Sequence, residues 1–434
     1  MHMSLTAPRT AVALAAIAAI AGCGSSASTS TTSEERAAAQ IRARGHLSCA
    51  AAALEALGYI AKRVYHEGVA SERTIVAQRL IASSIPLRKA VERGDPRAAR
   101  AAAEQLIATG HITNLEVSRG SGSAGATPSK GLLGGGVLAD AGGSGALAPL
   151  RGTITGARGA PIGSFITSVW SDSGLMAETD GLAQGVVALR EHGRSIAGSF
   201  ALPRGSLPAQ GRLISKGVAY QYTSYPSEAY PSGSLRVYVL KRVSSIHGLC
   251  GATAEDTVVN TAAHVARLIY AAEAGMRTLT QIQRVQHNQE LLRAVARRDP
   301  TATRAAVDRL LNEHIVRLRV SAGGRLLTDV GGPYVLAPVS ASLRVHGRPI
   351  GSFLLSIQDD EGYLRLAKRL AGLDVLMYMG PQLVKNSLGP APGSVPAEGS
   401  YHYGGHTFSV ITIHAAAFPS GPLRIAVLIP IPYA

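Results

Sequence analysis

Stretches apolar enough to cross a membrane are missing from this 434-residue chain. The run Ala11–Ile20 (AVALAAIAAI) is apolar throughout but falls short of the ~20 residues a helix needs to span a bilayer. No other stretch comes closer, so a permanent transmembrane helix is excluded. Enzyme signatures are missing too: no G-x-S-x-G elbow, Walker loop or dinucleotide fingerprint stands in a strand–turn–helix setting. His402, His406 and His414 cluster, but HYGGH puts the first two across a Gly-Gly turn, not at the helical HExxH spacing of a zinc protease. Asp359, Asp360 and Glu361 precede a helical stretch, where carboxylates meet unpaired N–H groups, so they read as a cap and not as a catalytic pair. Arg93-Gly94-Asp95 falls at a helix junction and reads as chance. No catalytic residue, metal set or cofactor is expected, and the chain is not expected to be an enzyme. Acidic residues are few, 28 against 43 Lys and Arg, for a net charge of +15. Cysteines number three.

Arg9 precedes the apolar run and Ala21-Gly22-Cys23 follows it. This resembles a bacterial lipoprotein signal with IAGC as its lipobox, which implies a signal peptide over 1–22 and acylation of Cys23. GSSASTSTTS then reads as part of a flexible Ser/Thr-rich tether over 23–45, too polar to bury a core. The resemblance implies a protein anchored by lipid on the extracytoplasmic face of the cell membrane. Export argues against nucleic acid as a partner, despite the charge. Runs such as RARGH read as solvated helix faces, with weak attraction to anionic lipid or wall polymer as the milder consequence. With Cys23 acylated, Cys49 and Cys250 remain, in matching contexts HLSC and HGLC that each open a helix. An oxidising compartment permits a disulfide between them, and two buried thiols are equally compatible.

The chain then repeats itself. APIGSFITSVWSD (160–172) returns as RPIGSFLLSIQDD (348–360), and ERGDPRAARAAAEQLIATGHITNLEVS (92–118) as ARRDPTATRAAVDRLLNEHIVRLRVS (296–321). LADAGGSGALAPL matches LTDVGGPYVLAPV, LPAQG matches VPAEG, and YPSGSLRVYVL matches FPSGPLRIAVL. So long a period implies a duplicated domain and not a solenoid. The expected units are residues 46–243 and 244–434, consecutive and not intertwined. Between Ser118 and Leu138, repeat one carries a Gly-rich insertion (RGSGSAGATPSKGLLGGGV) at what should be a mobile hairpin tip.

Each unit opens with helices. In the second, Val258, Ala262, Val265, Leu268, Ile269, Leu291 and Val295 recur at helical spacing, and Asp299-Pro300 marks a helix stop and restart. Strands follow, from the alternating HIVRLRV through GGRLLTDV, YVLAPVSASLRV and PIGSFLLSIQD, with Gly-rich turns between them. Helices segregated from antiparallel strands make the class α+β. This order resembles the extracytoplasmic Cache domain, a PAS-like sensor module, carried by HIVRLRVSAGGRLLTDVGG, YVLAPV and GRPIGSFLLSIQDD. The resemblance implies two tandem PAS-like domains, each with N-terminal helices and a central antiparallel sheet. The final third of each repeat, from DVLMYMG onward in the second, is compatible with one larger sheet or a second lobe.

On the repeated strand, Phe353, Leu355 and Ile357 share one face and Ser352, Leu354, Ser356 and Gln358 the other, as Phe165, Thr167 and Val169 oppose Ser164, Ile166, Ser168 and Trp170. The Phe side is the candidate core. The Ser/Gln side suits either a small-molecule pocket wall or a solvated sheet face. Cache domains bind ligands against the sheet, so the resemblance implies a pocket in repeat two reached by His314, Tyr334, Ser356, Gln358 and Tyr378. His314 and its counterpart His111 stand at strand starts, where a backbone hydrogen bond explains them equally well. The chain ends at IPIPYA after a predicted strand, so no output domain is expected. The function implied is sensing or binding of an unidentified small molecule, with a signalling partner in the membrane. An envelope interaction protein without such a ligand is the alternative.

Overall fold

A computed structural model describes residues 48–120, 136–198, 200–272, 275–311, 315–332, 335–390, 392–418 and 421–433. The signal, Cys23, the tether, most of the Gly-rich insertion, His314 and Tyr334 lie outside them. Repeat one opens with α1 (Cys49–Ala70), α2 (Glu72–Ser83), α3 (Ile85–Arg93) and α4 (Pro96–Gly110). Each helix starts on a side-chain cap that accepts an otherwise unpaired backbone N–H: Ser48 from Ala51, Ser71 from Thr74, Ser84 from Leu87 and Asp95 from Ala98. Arg93-Gly94-Asp95 is one of these junctions, with Gly94 closing α3 at φ 64° and Asp95 capping α4.

A first set of strands follows: β1 (Asn114–Arg119), β2 (Val137–Gly142), β3 (Ala146–Leu147), β4 (Leu150–Thr155), β5 (Pro161–Ser168) and β6 (Trp170–Ser171). After α5 (Asp172–Ala183) come β7 (Val186–Glu191), β8 (Arg194–Gly198), β9 (Gln210–Ser215), β10 (Val218–Glu228) and β11 (Ser234–Arg242). A short helix, α6 (Val243–Ile246), leads into repeat two. There the same series recurs as α7 (Ala254–Ala272), α8 (Met276–His287), α9 (Gln289–Ala296), α10 (Pro300–Leu311), β12 (Arg317–Ala322), β13 (Arg325–Gly331), β14 (Val335–Leu336), β15 (Val339–Val345), β16 (Arg348–Ser356) and β17 (Gln358–Asp359). It closes with α11 (Asp360–Ala371), β18 (Asp374–Met379), β19 (Gln382–Asn386), β20 (Gly399–Tyr403), β21 (His406–Ala416) and β22 (Pro422–Ile431). Asp299 caps α10 through Ala302 N at 3.0 Å, and Asp359 caps α11 through Gly362 N at 2.6 Å.

The class is α+β with antiparallel sheets, and the final third of each repeat closes a sheet of its own. Repeat one holds a four-stranded sheet in the order β2-β1-β5-β4 and a five-stranded one in the order β8-β7-β11-β10-β9. Repeat two matches it with β13-β12-β16-β15 and β19-β18-β22-β21-β20. All four share one plan, the first and last strands lying side by side at the centre. In the smaller sheets the third strand is diverted, so that β3 pairs with β6 and β14 with β17. Among the described residues no strand of one repeat enters a sheet of the other.

The helices behave differently. One face of each four-stranded sheet buries its Phe side, Phe165 or Phe353, each 2 % exposed, under the repeat's own shorter helices. The inner faces of both five-stranded sheets instead share a single core with α1, α5, α7 and α11. Along α1 the buried residues Ala52, Ala56, Ile60, Val64 and Gly68 form a stripe with period four, and α7 answers with Ala254, Val258, Ala262 and Ala266. Side chains this small let the two axes approach closely. Gly68 is required: a Cβ there would stand 1.8 Å from Trp170 Cδ1.

Polar contacts cross the same seam. Arg63 on α1 donates to the carbonyls of Lys368 (2.6 Å) and Arg369 (3.0 Å), satisfying the open end of α11. Glu67 pairs with Arg369, and the Tyr59 and Tyr433 rings meet edge to face at 5.1 Å. On the other side His264 of α7 meets Gln184, the residue that closes α5, at 3.0 Å. Burial, with Lys241 and Arg267 nearby, holds the His264 imidazole below its usual range. Cys49, first in α1, is joined to Cys250, just ahead of α7, with the two Cα atoms 5.5 Å apart. Among the described residues no helix is long and apolar enough to cross a membrane.

Reduction of the Cys49–Cys250 bond should add two thiols to an alkylation mass count and lower stability by about 4–5 kcal/mol, as expected for so long a closed loop; an unchanged count would disprove the bridge. Gly68→Ala should red-shift the emission of Trp170, the sole tryptophan. The overpacking penalty of about 1–3 kcal/mol should also lower the denaturation midpoint, and an unmoved spectrum would contradict that packing.

Candidate functional site

Ser356 is 1 % exposed, and its hydroxyl faces inward. It donates to the Leu336 carbonyl and accepts from Gln358 N at 3.4 Å, clamping β14 against the end of β16. Ser168 makes the matching clamp in repeat one, to the Leu147 carbonyl and from Trp170 N at 3.2 Å. Gln358 is half-buried and pairs with Leu336 in the two-stranded ladder. Tyr378 belongs to another sheet, on β18, where the Arg424 guanidinium lies 4.1 Å from its ring centre. The structure therefore places Ser356 and Gln358 together and Tyr378 apart from them. His111 closes α4 in the left-handed region at φ 53°. His402 bonds Thr407 at 3.0 Å across its hairpin, and among the described residues no group of His, Cys, Asp and Glu is arranged to hold a metal.

The faces of the four-stranded sheets turned away from their helices hold the more informative chemistry. In repeat one the strand register lines up Asp140, Glu116, Ile166 and Arg151 in one row across β2, β1, β5 and β4. Glu116 and Asp140 are thus directly opposed, an arrangement that repels when both are ionised. Tyr230, from the β10–β11 connection, reaches down to this row, its hydroxyl donating to Ile166 O at 3.5 Å with the Asp140 carboxylate nearby. Burial, then Asp140 and Glu116, push the phenol well above its usual range. Burial first and Asp140 second hold the Glu116 carboxyl above the usual carboxylate range. Arg151 offers this pair no relief, because its guanidinium is engaged with Glu228 and with Pro231 O at 3.3 Å. Asn114, on the same face of β1, is 7 % exposed and leaves its Oδ1 without a partner.

Repeat two resolves the same row oppositely. Asp329, Arg319, Leu354 and Ser340 take the four positions. Asp329 receives both arms of Arg317 at 2.9 and 3.0 Å, and Arg319 stands 3.9 Å away. Phe418 replaces Tyr230 and carries the Arg317 guanidinium 4.7 Å from its ring centre. One duplicated scaffold therefore presents a compensated carboxylate in repeat two and, among the described residues, an acidic pair with no cation bonded to it in repeat one. Such a pair, roofed by a phenol and flanked by an unsatisfied amide oxygen, can accept hydrogen bonds from a cationic N–H group. No nucleophile stands beside a base in either row. A local reading of one strand missed these residues, although NLEV against RLRV and YPSG against FPSG mark the reversal in the repeated segments themselves.

No protein-family profile matches the chain, and no curated protein does. Solved structures do. The periplasmic domain of LuxQ from Vibrio cholerae is 14 % identical over 38 % of this chain and 95 % of its own, with a TM-score of 0.27. An extracellular ligand-binding receptor from Desulfohalobium retbaense is 10 % identical over 51 % of this chain and 47 % of its own, with a TM-score of 0.25. The ligand-binding domain of the Pseudomonas fluorescens chemoreceptor CtaA, solved with L-isoleucine, is 12 % identical over 44 % of this chain and 95 % of its own, with a TM-score of 0.24. At these scores no residue of those proteins is carried over to this chain.

The raised carboxyl of Glu116 sets a sign. A carboxyl whose folded value exceeds its unfolded one stabilises fully below the unfolded value, and that contribution is lost as pH rises through the folded value. Glu116→Gln should therefore raise the melting temperature at neutral pH, the gain shrinking as pH falls through the raised carboxyl value. A gain independent of pH would show that Glu116 carries no such strain.

Proposed function

We propose that this chain is an extracytoplasmic solute-binding or sensory protein in which repeat one takes a small molecule through an ammonium group. The observation that carries the reading is the opposed Glu116–Asp140 pair under Tyr230, set against the Arg317–Asp329 pairing at the same place in repeat two. A bound cation would supply the countercharge that repeat two builds in covalently. In this reading residues 1–22 direct export, Cys23 bears the lipid, 23–45 form the tether, and 46–243 and 244–434 are the two sensor units. In this reading the bound state is passed to a partner in the membrane, and the Ser356 and Gln358 end of repeat two serves as a structural clamp and not as the contact surface.

Thermal shift on the detergent-solubilised protein across amines, amino acids, carboxylates and sugars tests the assignment. A compound at a hundred times its dissociation constant adds about 2.7 kcal/mol, and compounds carrying a cationic nitrogen should be among the responders. Their effect should vanish in Asp140→Asn and persist in Arg319→Gln. A library in which no cationic compound responds, or a cationic compound's shift that survives Asp140→Asn, would overturn it. No responder at all would favour an envelope interaction protein that uses the duplicated sheets without a small ligand.

A further inference from the structure

A second cluster of unusual charge lies on the outer face of repeat one's five-stranded sheet. Arg190 on β7 is 4 % exposed, although it is a permanent cation. Its Nη1 donates to Gly205 O at 2.7 Å and its Nη2 to Pro203 O, both from the connection between β8 and β9, while its Nε is buried without a partner. These carbonyls satisfy hydrogen bonds but bring no countercharge. Among the described residues no carboxylate lies within ion-pairing distance of Arg190, and the neighbouring Glu191 is turned to His192 at 3.9 Å. Burying an unpaired charge is expensive.

The strand register makes the position harder still. Arg236 on β11 is the direct cross-strand partner of Arg190. Like charges at opposed positions repel, and Arg236 donates to a neutral group, Ser224 Oγ, at 3.1 Å. Beside the two guanidinium groups opens a cleft of about 590 Å³, walled further by His192, Ser206, Ser234 and Tyr238. Its volume falls in the range of small-molecule sites.

Repeat two shows what the same sheet does without this demand. Its opposed residues are Tyr378 and Arg424, and the guanidinium settles over the phenol ring at 4.1 Å. In repeat one a second arginine takes the tyrosine's place, and the Arg190 guanidinium lies 5.9 Å from the centre of the Tyr238 ring instead.

We infer that the Arg190–Arg236 cleft binds a small organic anion, its carboxylate or phosphate oxygens bridging the two guanidinium groups while His192, Ser206 and Ser234 contact its polar remainder. The planar donor forks of arginine match such oxyanions. The site rests on different residues, a different sheet and the opposite charge from the ammonium site, so either can fail alone.

Calorimetric titration of the detergent-solubilised full chain at constant ionic strength, with succinate, glycerol phosphate and inorganic phosphate as separate probes and chloride as control, decides the matter. Succinate or glycerol phosphate should bind saturably, and Arg236→Gln should weaken that binding roughly ten- to hundredfold, the loss expected for one charged hydrogen-bonding group. Arg424→Gln should leave it unchanged. Arg190→Tyr recreates the pairing of repeat two, so it should melt higher than the parent without ligand and no longer respond to the anions. A response to inorganic phosphate without either organic probe would reduce the site to one for the bare ion and overturn the organic ligand. Absence of saturable binding to all three, or binding that survives both Arg190→Tyr and Arg236→Gln, would overturn the site altogether.

Discussion

The packing of α1 against α7 is the contact on which the rest of the molecule depends. Each long helix packs on the five-stranded sheet of its own repeat, and where the two helices meet the two layers merge into one continuous core. Alanines along the seam bring the axes close, Gly68 admits Trp170, and the flanking polar contacts are reciprocal: Arg63 of α1 reaches the end of α11, and His264 of α7 reaches the end of α5. The four-stranded sheets stand outside this arrangement, each with a small core of its own under short helices. The molecule thus has one shared centre and two separately supported ends.

Much of this was readable in the linear chain, for reasons that are local. Caps sit next to the helices they start, so Asp299-Pro300 and the acidic run at 359–361 announced α10 and α11 without tertiary knowledge. Alternation along one strand separated Phe353 and Leu355 from the opposite side correctly. The two-sheet plan of each repeat was not readable, because strand order depends on which strands pair and not on their individual patterns. The same limit governed the sites. Ser356 lies on the polar side by alternation, yet the strand changes partner just beyond it and its hydroxyl is consumed by Leu336 O. Glu116 becomes notable only when register puts Asp140 opposite and when Tyr230, far along the chain, folds over it.

Duplication offers a comparison that a single domain lacks. Positions related by the repeat share backbone surroundings, so a difference in side chains isolates a difference in demand. At two such places repeat two sets Arg317 on Asp329 and Arg424 over Tyr378, while repeat one opposes Glu116 to Asp140 and Arg190 to Arg236. In repeat one each of these opposed pairs carries charge of a single sign.

The Cys49–Cys250 link, at the start of both long helices, has a consequence for assembly. Two halves on one polypeptide, stapled at one end, meet at an effective concentration that dilution cannot lower. Fusion also releases the halves from identity: a homodimer must change both partners at every mutation, whereas here one half can specialise while its twin keeps the joint intact.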